Sequence, residues 1–333
     1  MSDINETIRL ESLQIGYYSG IKKNVLLAPL YATGCKKELI SVVGRNGIGK
    51  STLLRTAAGI QKAISGNVLL NSKEIGKFSR NELARLAGFI STEQVKVSNM
   101  TVFDLVALGR FPFTNWIGSL HPDDEEAIHS AMEKTSVLQF SGKYISELSD
   151  GERQRAMIAR LLAQDTDIMF LDEPTAFLDI RSKFEVIHIL HELAHSCCKT
   201  IILSTHDLDL ALRHSDKIWL LLDDGIREGS PEDLVIGHEF EKLFDSEIIK
   251  FDSINGIFSF SDVPKASIHI KGDFVLRKWT ERALMRAGFS VSETELSDYI
   301  EITGSKSWIL FYKGNKRIYG SIYQLLQGIS GLI

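Results

Sequence analysis

The sequence predicts an α/β fold in which mostly parallel strands surround a glycine-rich phosphate-binding loop, followed by a small α+β domain. Three observations carry this expectation. The apolar run Leu39-Ile40-Ser41-Val42-Val43 leads directly into Gly44-Arg45-Asn46-Gly47-Ile48-Gly49-Lys50-Ser51-Thr52, and a helical stretch starts at Leu53. Residues 168–171 and 201–204 are continuous apolar runs, the pattern of parallel strands covered on both faces, with a helical stretch over 184–194 between them. After about residue 245 the texture changes to short strands around one helix.

In chain order, residues 7–15 alternate loosely through Ile8, Leu10, Leu13 and Ile15, and 25–31 add a second apolar run. Together they predict an antiparallel β subdomain feeding the phosphate loop. Residues 66–76 read as a hairpin between the turn signals Ser65-Gly66 and Asn71-Ser72. From Thr101 the period becomes helical. Thr101 and Asp104 have the spacing of a capping box ahead of Leu105, Val106 and Leu108. His121-Pro122-Asp123-Asp124 opens a second helix, with proline in the first turn, acidic groups at the positive end, and Ile128, Ala131 and Met132 on one face. A helical subdomain over roughly residues 98–160 is expected from these signals. Residues 218–222 form a strand that turns at Asp223-Asp224-Gly225. Further on, 257–260, 267–270, 299–302 and 308–312 read as strands around a helix over 276–287, and the chain closes on a segment at 321–326. The expected division is residues 1–245 and 246–333, with Trp279, Trp308, Phe311, Tyr312, Tyr319 and Tyr323 as the aromatic core of the second part.

The chain has 333 residues and 44 % hydrophobic content, more than one typical core requires, so two globular domains are expected. A net charge of −5 supplies no basic field, which disfavours a nucleic-acid partner. Cys35, Cys197 and Cys198 give neither a disulfide framework nor zinc spacing, and read as buried thiols of a reducing compartment. The start Met1-Ser2-Asp3-Ile4-Asn5-Glu6-Thr7 lacks the basic, then apolar, pattern of a secretion signal. No stretch approaches the roughly 18 apolar residues of a membrane span. The expectation is a soluble cytoplasmic chain that reaches a membrane only through a partner.

The chemistry starts at the nonamer. Gly44, Gly47 and Gly49 let the backbone wrap closely around a phosphate chain, with N–H groups pointing inward at the positive end of the next helix. Lys50 then reaches the terminal phosphates, and the hydroxyl of Ser51 suits Mg²⁺. This pattern selects a nucleoside triphosphate. At the end of the 168–171 strand, where ligands bind in open α/β sheets, stand Asp172 and Glu173: Asp172 suits the Mg²⁺ shell, and Glu173 suits a general base for the attacking water. Leu148-Ser149-Asp150-Gly151-Glu152 lies upstream, Leu178-Asp179 just downstream, and Ser204-Thr205-His206-Asp207 ends the next strand.

In this order and spacing, residues 5–235 resemble the ATP-binding cassette family of ATPases. The resemblance implies ATP and Mg²⁺ as ligands, with Gly44, Asn46, Gly47, Gly49, Lys50, Ser51 and Thr52 forming the Walker A loop. It implies Leu148 to Glu152 as the family signature, Asp172 and Glu173 as Walker B with its catalytic glutamate, Asp179 in the D-loop, His206 as the switch histidine, and Tyr17 as the aromatic stacking on adenine. It also implies a dimer in which Ser149 and Gly151 contact the γ phosphate held by a second copy. Two departures stand out. Asp150 occupies a signature position that is usually glycine, and the Q-loop position falls on Thr92 or Glu93, with Gln94 slightly late.

The segment Ala107-Leu108-Gly109-Arg110-Phe111-Pro112-Phe113 resembles the corresponding segment of ATPases that power bacterial import of iron siderophores, haem and cobalamin. That resemblance implies a separate membrane permease docking between the two subdomains of the cassette, a substrate-binding protein beyond it, and a place at the cytoplasmic face of the plasma membrane. Iron siderophore is the first expectation for the cargo, haem or cobalamin the next. The rivals are a soluble cassette ATPase acting on a ribosome, nucleic acid or protein assembly, and a nucleotide-binding module without turnover. The joint presence of Lys50, Glu173 and His206 speaks against the last.

Overall fold

The computed structural model describes residues 5–19, 22–91, 99–114, 119–244, 249–260, 264, 266–304 and 307–330. Two compact units emerge, residues 1–245 with 251–258, and residues 246–250 with 259–333.

The first unit opens with β1 (Glu6–Gln14), the short hairpin β2 (Gly16–Ser19) and β3 (Lys22–Val25), then β4 (Leu30–Cys35) and β5 (Leu39–Gly44), which runs into α1 (Lys50–Ala57). Next come β6 (Ser65–Leu70), β7 (Lys73–Glu74), α2 (Arg80–Leu86) and β8 (Ala87–Ile90). The helical part holds α3 (Val102–Ala107), α4 (Pro122–Lys134) and α5 (Asp150–Ala163). Alternation then resumes with β9 (Ile168–Leu171), α6 (Ile180–His195), β10 (Thr200–Ser204), α7 (Leu208–His214), β11 (Lys217–Leu222), β12 (Gly225–Gly229) and α8 (Pro231–Ile236).

Two sheets organise these elements. An antiparallel sheet takes the order β4-β1-β6-β7, and a six-stranded sheet takes the order β12-β11-β5-β10-β9-β8. In the latter, β8, β9, β10, β5 and β11 are parallel, while β12 folds back antiparallel on β11. Successive side chains of a strand point to opposite faces, and both faces here are covered. Met169 and Leu171 therefore join the core built with α3 to α6, whereas Ile168 and Phe170 join the core shared with α1 and the antiparallel sheet. This is why the strands contain no alternating polar residues.

Local signals in the helical part act as expected. Thr101 caps α3, and Asp104 reaches back to the Thr101 N–H. The Asp124 carboxylate accepts the His121 N–H at 3.0 Å and also pairs with buried Arg110 at 2.8 Å. Arg110 further donates to the Ala163 carbonyl of α5, so one guanidinium ties the α3 end to α4 and α5. Phe113 lies between two cations, with Arg110 at 4.0 Å and Arg85 at 4.7 Å from its ring centroid. Its neighbour Phe111 stays 73 % exposed.

After α8, β13 (Ile249–Asp252) and β14 (Ile257–Phe260) pair with each other. The 251–258 stretch belongs to the first unit, because Phe251 and Phe258 pack beside Phe240, Leu243 and Leu234.

The second unit contains β15 (Ala266–Lys271), α9 (Phe274–Arg286), β16 (Phe289–Ser292), β17 (Tyr299–Ile302), β18 (Trp308–Tyr312), β19 (Asn315–Tyr319) and α10 (Ile322–Ser330). Its sheet order is β16-β15-β17-β18-β19, with β15 parallel to both neighbours and the other pairs antiparallel. The core is largely aliphatic, centred on Ile268, Ile270, Leu284, Ile300, Leu310 and Leu325. Of the six aromatic residues expected there, Trp308 is buried, its indole N–H donating to Thr280 at 2.8 Å, whereas Trp279 and Tyr323 are exposed. Tyr312 and Tyr319 are partly buried against that core.

Candidate functional site

The adjacency of β5, β10 and β9 brings three strand ends together. β5 ends in the glycine loop, β9 in Asp172-Glu173, and β10 in Ser204-Thr205-His206. Gly47 and Gly49 have φ of 80° and 115°, backbone that a β-carbon disfavours, and Gly49 caps α1. A β-carbon on Gly44 would stand 2.9 Å from the Leu221 carbonyl oxygen, so the loop needs glycine there for close approach to β11.

A cleft of about 460 Å³ is lined by Tyr17, Asn46, Gly47, Gly49, Lys50, Ser51, Thr52, Glu173 and His206. Lys50 is buried, and its ammonium donates to the carbonyls of Gly44 at 2.9 Å and Arg45 at 3.3 Å. Burial pulls its pKa down, and the negative charges of Glu173 and Asp172 oppose that shift. The phenol of Tyr17 shares a hydrogen bond of 2.6 Å with the Thr52 hydroxyl at the rim, leaving its ring half exposed. His206 Nδ1 stands 3.5 Å from Glu173 Oε2.

Behind the cleft, the Ser51 hydroxyl donates to Asp172 Oδ1 at 2.8 Å, and the Ser204 hydroxyl donates to the same oxygen at 2.7 Å. Ser204 also accepts the Glu173 N–H at 2.8 Å. The hydroxyl of Ser51 and the carboxylate of Asp172 form a hard oxygen donor set that suits Mg²⁺ and suits no soft metal. Glu173 has φ of 47°, a left-handed conformation rare for a residue with a β-carbon.

The other expected site residues lie elsewhere. Ser149 caps α5 and exchanges hydrogen bonds with Glu152. Gly151 is buried against α6, where a β-carbon would come within 2.8 Å of Ser182 Cβ. Asp179 caps α6 through the Ser182 N–H at 2.9 Å. None of these three lines the cleft. Asp150 pairs with Arg153 at 3.0 Å, which offsets its negative charge within the same helix turn. Thr92, Glu93 and Gln94 lie outside the described residues. The sequence reading missed Ser204, whose signal was a hydroxyl closing an otherwise apolar buried strand. It also missed Gln61, whose amide donates to the Gly16 carbonyl at 2.6 Å and steadies the strand that carries Tyr17.

Residues 31–176 match the ABC transporter family, and residues 265–330 match the iron ABC transporter C-terminal domain. The ferric enterobactin transport ATP-binding protein FepC of Escherichia coli is 36 % identical over 249 residues, covering 73 % of this chain and 89 % of FepC. The chain belongs to the ABC transporter ATPases. The petrobactin import ATP-binding protein FpuD of Bacillus anthracis is 39 % identical over 201 residues, 60 % of this chain and 74 % of FpuD. The dimeric structure of MJ0796, a bacterial ABC transporter cassette, superimposes with a TM-score of 0.59 at 24 % identity, covering 67 % of this chain and 98 % of that one, a likeness of fold.

As an ABC ATPase the chain binds ATP and hydrolyses it to power transport. No helix among the described residues is long and apolar enough to cross a membrane.

Proposed function

We propose that this ABC ATPase drives import of a metal chelate, iron siderophore first and haem or cobalamin next, through a separate permease fed by a substrate-binding protein at the cytoplasmic face of the plasma membrane. The observation that carries the cargo class is the match of residues 265–330 to the iron ABC transporter C-terminal domain, in a chain whose relatives include transporters of enterobactin and petrobactin. Exposed Phe111 and Leu108 on the helical part supply an apolar docking surface for the permease, while Phe113 braces it from within.

In this reading the glycine loop and Lys50 hold the triphosphate, and Tyr17 leaves Thr52 to stack on adenine. Ser51 and Asp172 would hold Mg²⁺, which would supply positive charge against the transferred phosphoryl group. Glu173 Oε2 takes the proton of the attacking water, and His206 orients that carboxylate. Ser149, Gly151 and Asp179 act in trans: they lie outside their own chain's cleft, and a second copy would present them to the γ phosphate. Two such sites make a homodimer with ATP between its subunits.

The test is uptake. Cells lacking the chain should lose accumulation of ferric siderophore and regain it with the wild type but not with Glu173→Gln; intact siderophore uptake alongside lost haem or cobalamin uptake would reassign the cargo. Copurification of ribosomes or nucleic acid in place of a permease would favour the non-transport reading.

A further inference from the structure

Ser204 ends β10 and is fully buried. The three residues before it, Ile201, Ile202 and Leu203, are apolar, the usual pattern of a parallel strand covered on both faces. Instead a hydroxyl is present with both of its capacities in use. It donates to Asp172 Oδ1 at 2.7 Å and accepts the N–H of Glu173 at 2.8 Å. The register that sets Leu203 beside Leu171 carries the end of β10 to the first two residues after β9.

Asp172 Oδ1 accepts a second hydroxyl, that of Ser51 on the phosphate loop. A metal ion held by Ser51 and Asp172 would draw Ser51 away from its bond to Asp172, whereas Ser204, anchored at the end of β10, would keep its own. Glu173 meanwhile holds a left-handed φ that its β-carbon disfavours, and the hydrogen bond on its own N–H opposes relaxation.

We infer that Ser204 is a positioning residue for ATP hydrolysis, its hydroxyl tying the carboxylate of Asp172 to the backbone of Glu173 so that the metal-holding group and the general base keep one fixed relation. This rests on the roles proposed above for Asp172 and Glu173. Ser204 is fully buried and does not line the cleft. Its effect runs through the orientation of the two carboxylates.

The full chain is compared as wild type, Ser204→Ala and Ser204→Thr in two measurements: hydrolysis titrated with Mg²⁺ and Mn²⁺, and equilibrium binding of a fluorescent ATP analogue with and without metal. Hydrogen-bond partners of ligating carboxylates typically change metal affinity or activity by about 10- to 100-fold when removed. Ser204→Ala is expected to lower kcat and raise the half-saturating metal concentration by that order, with metal-free nucleotide affinity unchanged; Ser204→Thr, which keeps the hydroxyl, should recover most of both. Wild-type kcat and metal dependence in a folded Ser204→Ala overturn the inference. An equal loss of metal-free binding also overturns it, because a general collapse of the cleft produces that result. Ser204→Cys, with near-native volume and a weak donor, carries the same readouts if the alanine variant does not fold. Glu173→Gln separates the two levels: wild-type turnover in that variant defeats the base assignment, whereas a dead Glu173→Gln beside an unaffected Ser204→Ala defeats only the positioning role.

Discussion

Lys50 and Glu173 face the same cleft, yet the chemistry assigns them separable effects. In the proposed function Lys50 holds phosphate charge, so Lys50→Ala should weaken ATP binding and hydrolysis together, read as a raised Kd and a lowered kcat. In the proposed function Glu173 acts on water, so Glu173→Gln should cut kcat by about 10²- to 10⁴-fold, the usual contribution of a positioned general base, with Kd for ATP nearly unchanged. Residues in contiguous motifs were legible in the sequence because a glycine loop between strand and helix, with a charged pair closing a later apolar run, is hard to arrange except around a phosphate chain and its metal. Ser204 was not, since a serine at the end of a strand reads as the start of a loop until its neighbours across the sheet are known. The consequence of Asp150 was equally hidden: a carboxylate stands where glycine is usual, and its partner Arg153 lies one helical turn away on the same face.

Between elements, a buried ion pair joins parts of the helical region beside its apolar core. Arg110 and Asp124 link the end of α3 to α4, and Arg110 also satisfies the last turn of α5. Removing one partner leaves a buried charge, so Arg110→Ala should destabilise the protein by about 3–5 kcal/mol in denaturant unfolding. The Asp124 carboxyl is held below its ordinary pKa, chiefly by the backbone N–H of His121 and further by Arg110, against the opposing effect of burial. A depressed folded-state pKa means that the contribution is fully present above the unfolded carboxylate value and is lost as pH falls through the folded value. Acid titration of stability should therefore show a smaller loss in Asp124→Asn than in the wild type, below about pH 4. At the α5–α6 contact, Gly151 admits no β-carbon beside Ser182, so Gly151→Ala should cost about 1–3 kcal/mol by overpacking and disturb the cap that Asp179 forms on α6. Capping boxes and the proline helix start were readable locally. The α6 start was placed late, at 184 in place of Ile180, because its cap is Asp179, a residue that the family motif assigns to the D-loop.

For the whole chain, the segment after residue 245 matters to both units. A sequence-based boundary at 245 follows a change in texture, but texture does not show which core a hairpin joins. Phe251 and Phe258 pack with Phe240 of the first unit, so truncation after residue 245 should destabilise the ATPase unit markedly, whereas truncation after residue 260 should leave nucleotide binding intact. Phe251→Ala alone should cost about 3–5 kcal/mol, checked by thermal or chemical unfolding. The parallel sheet and its ligand edge were legible from apolar runs that end in charged residues. The aromatic core expected for the second unit was found only in part: Trp308 is buried and Tyr312 and Tyr319 pack against the core, but Trp279 and Tyr323 are exposed, because aromatic residues on strands and helices serve exposed faces as well as buried ones. One chain builds the phosphate loop and carries Ser149, Gly151 and Asp179 outside its own cleft, and in the proposed function a second copy would bring them to that loop. Sedimentation of Glu173→Gln with and without Mg²⁺–ATP tests this most directly. Monomer without nucleotide and dimer with it is the expected result, the dimer lost again in Ser149→Arg; a Glu173→Gln chain saturated with ATP that remains monomeric would contradict the shared site.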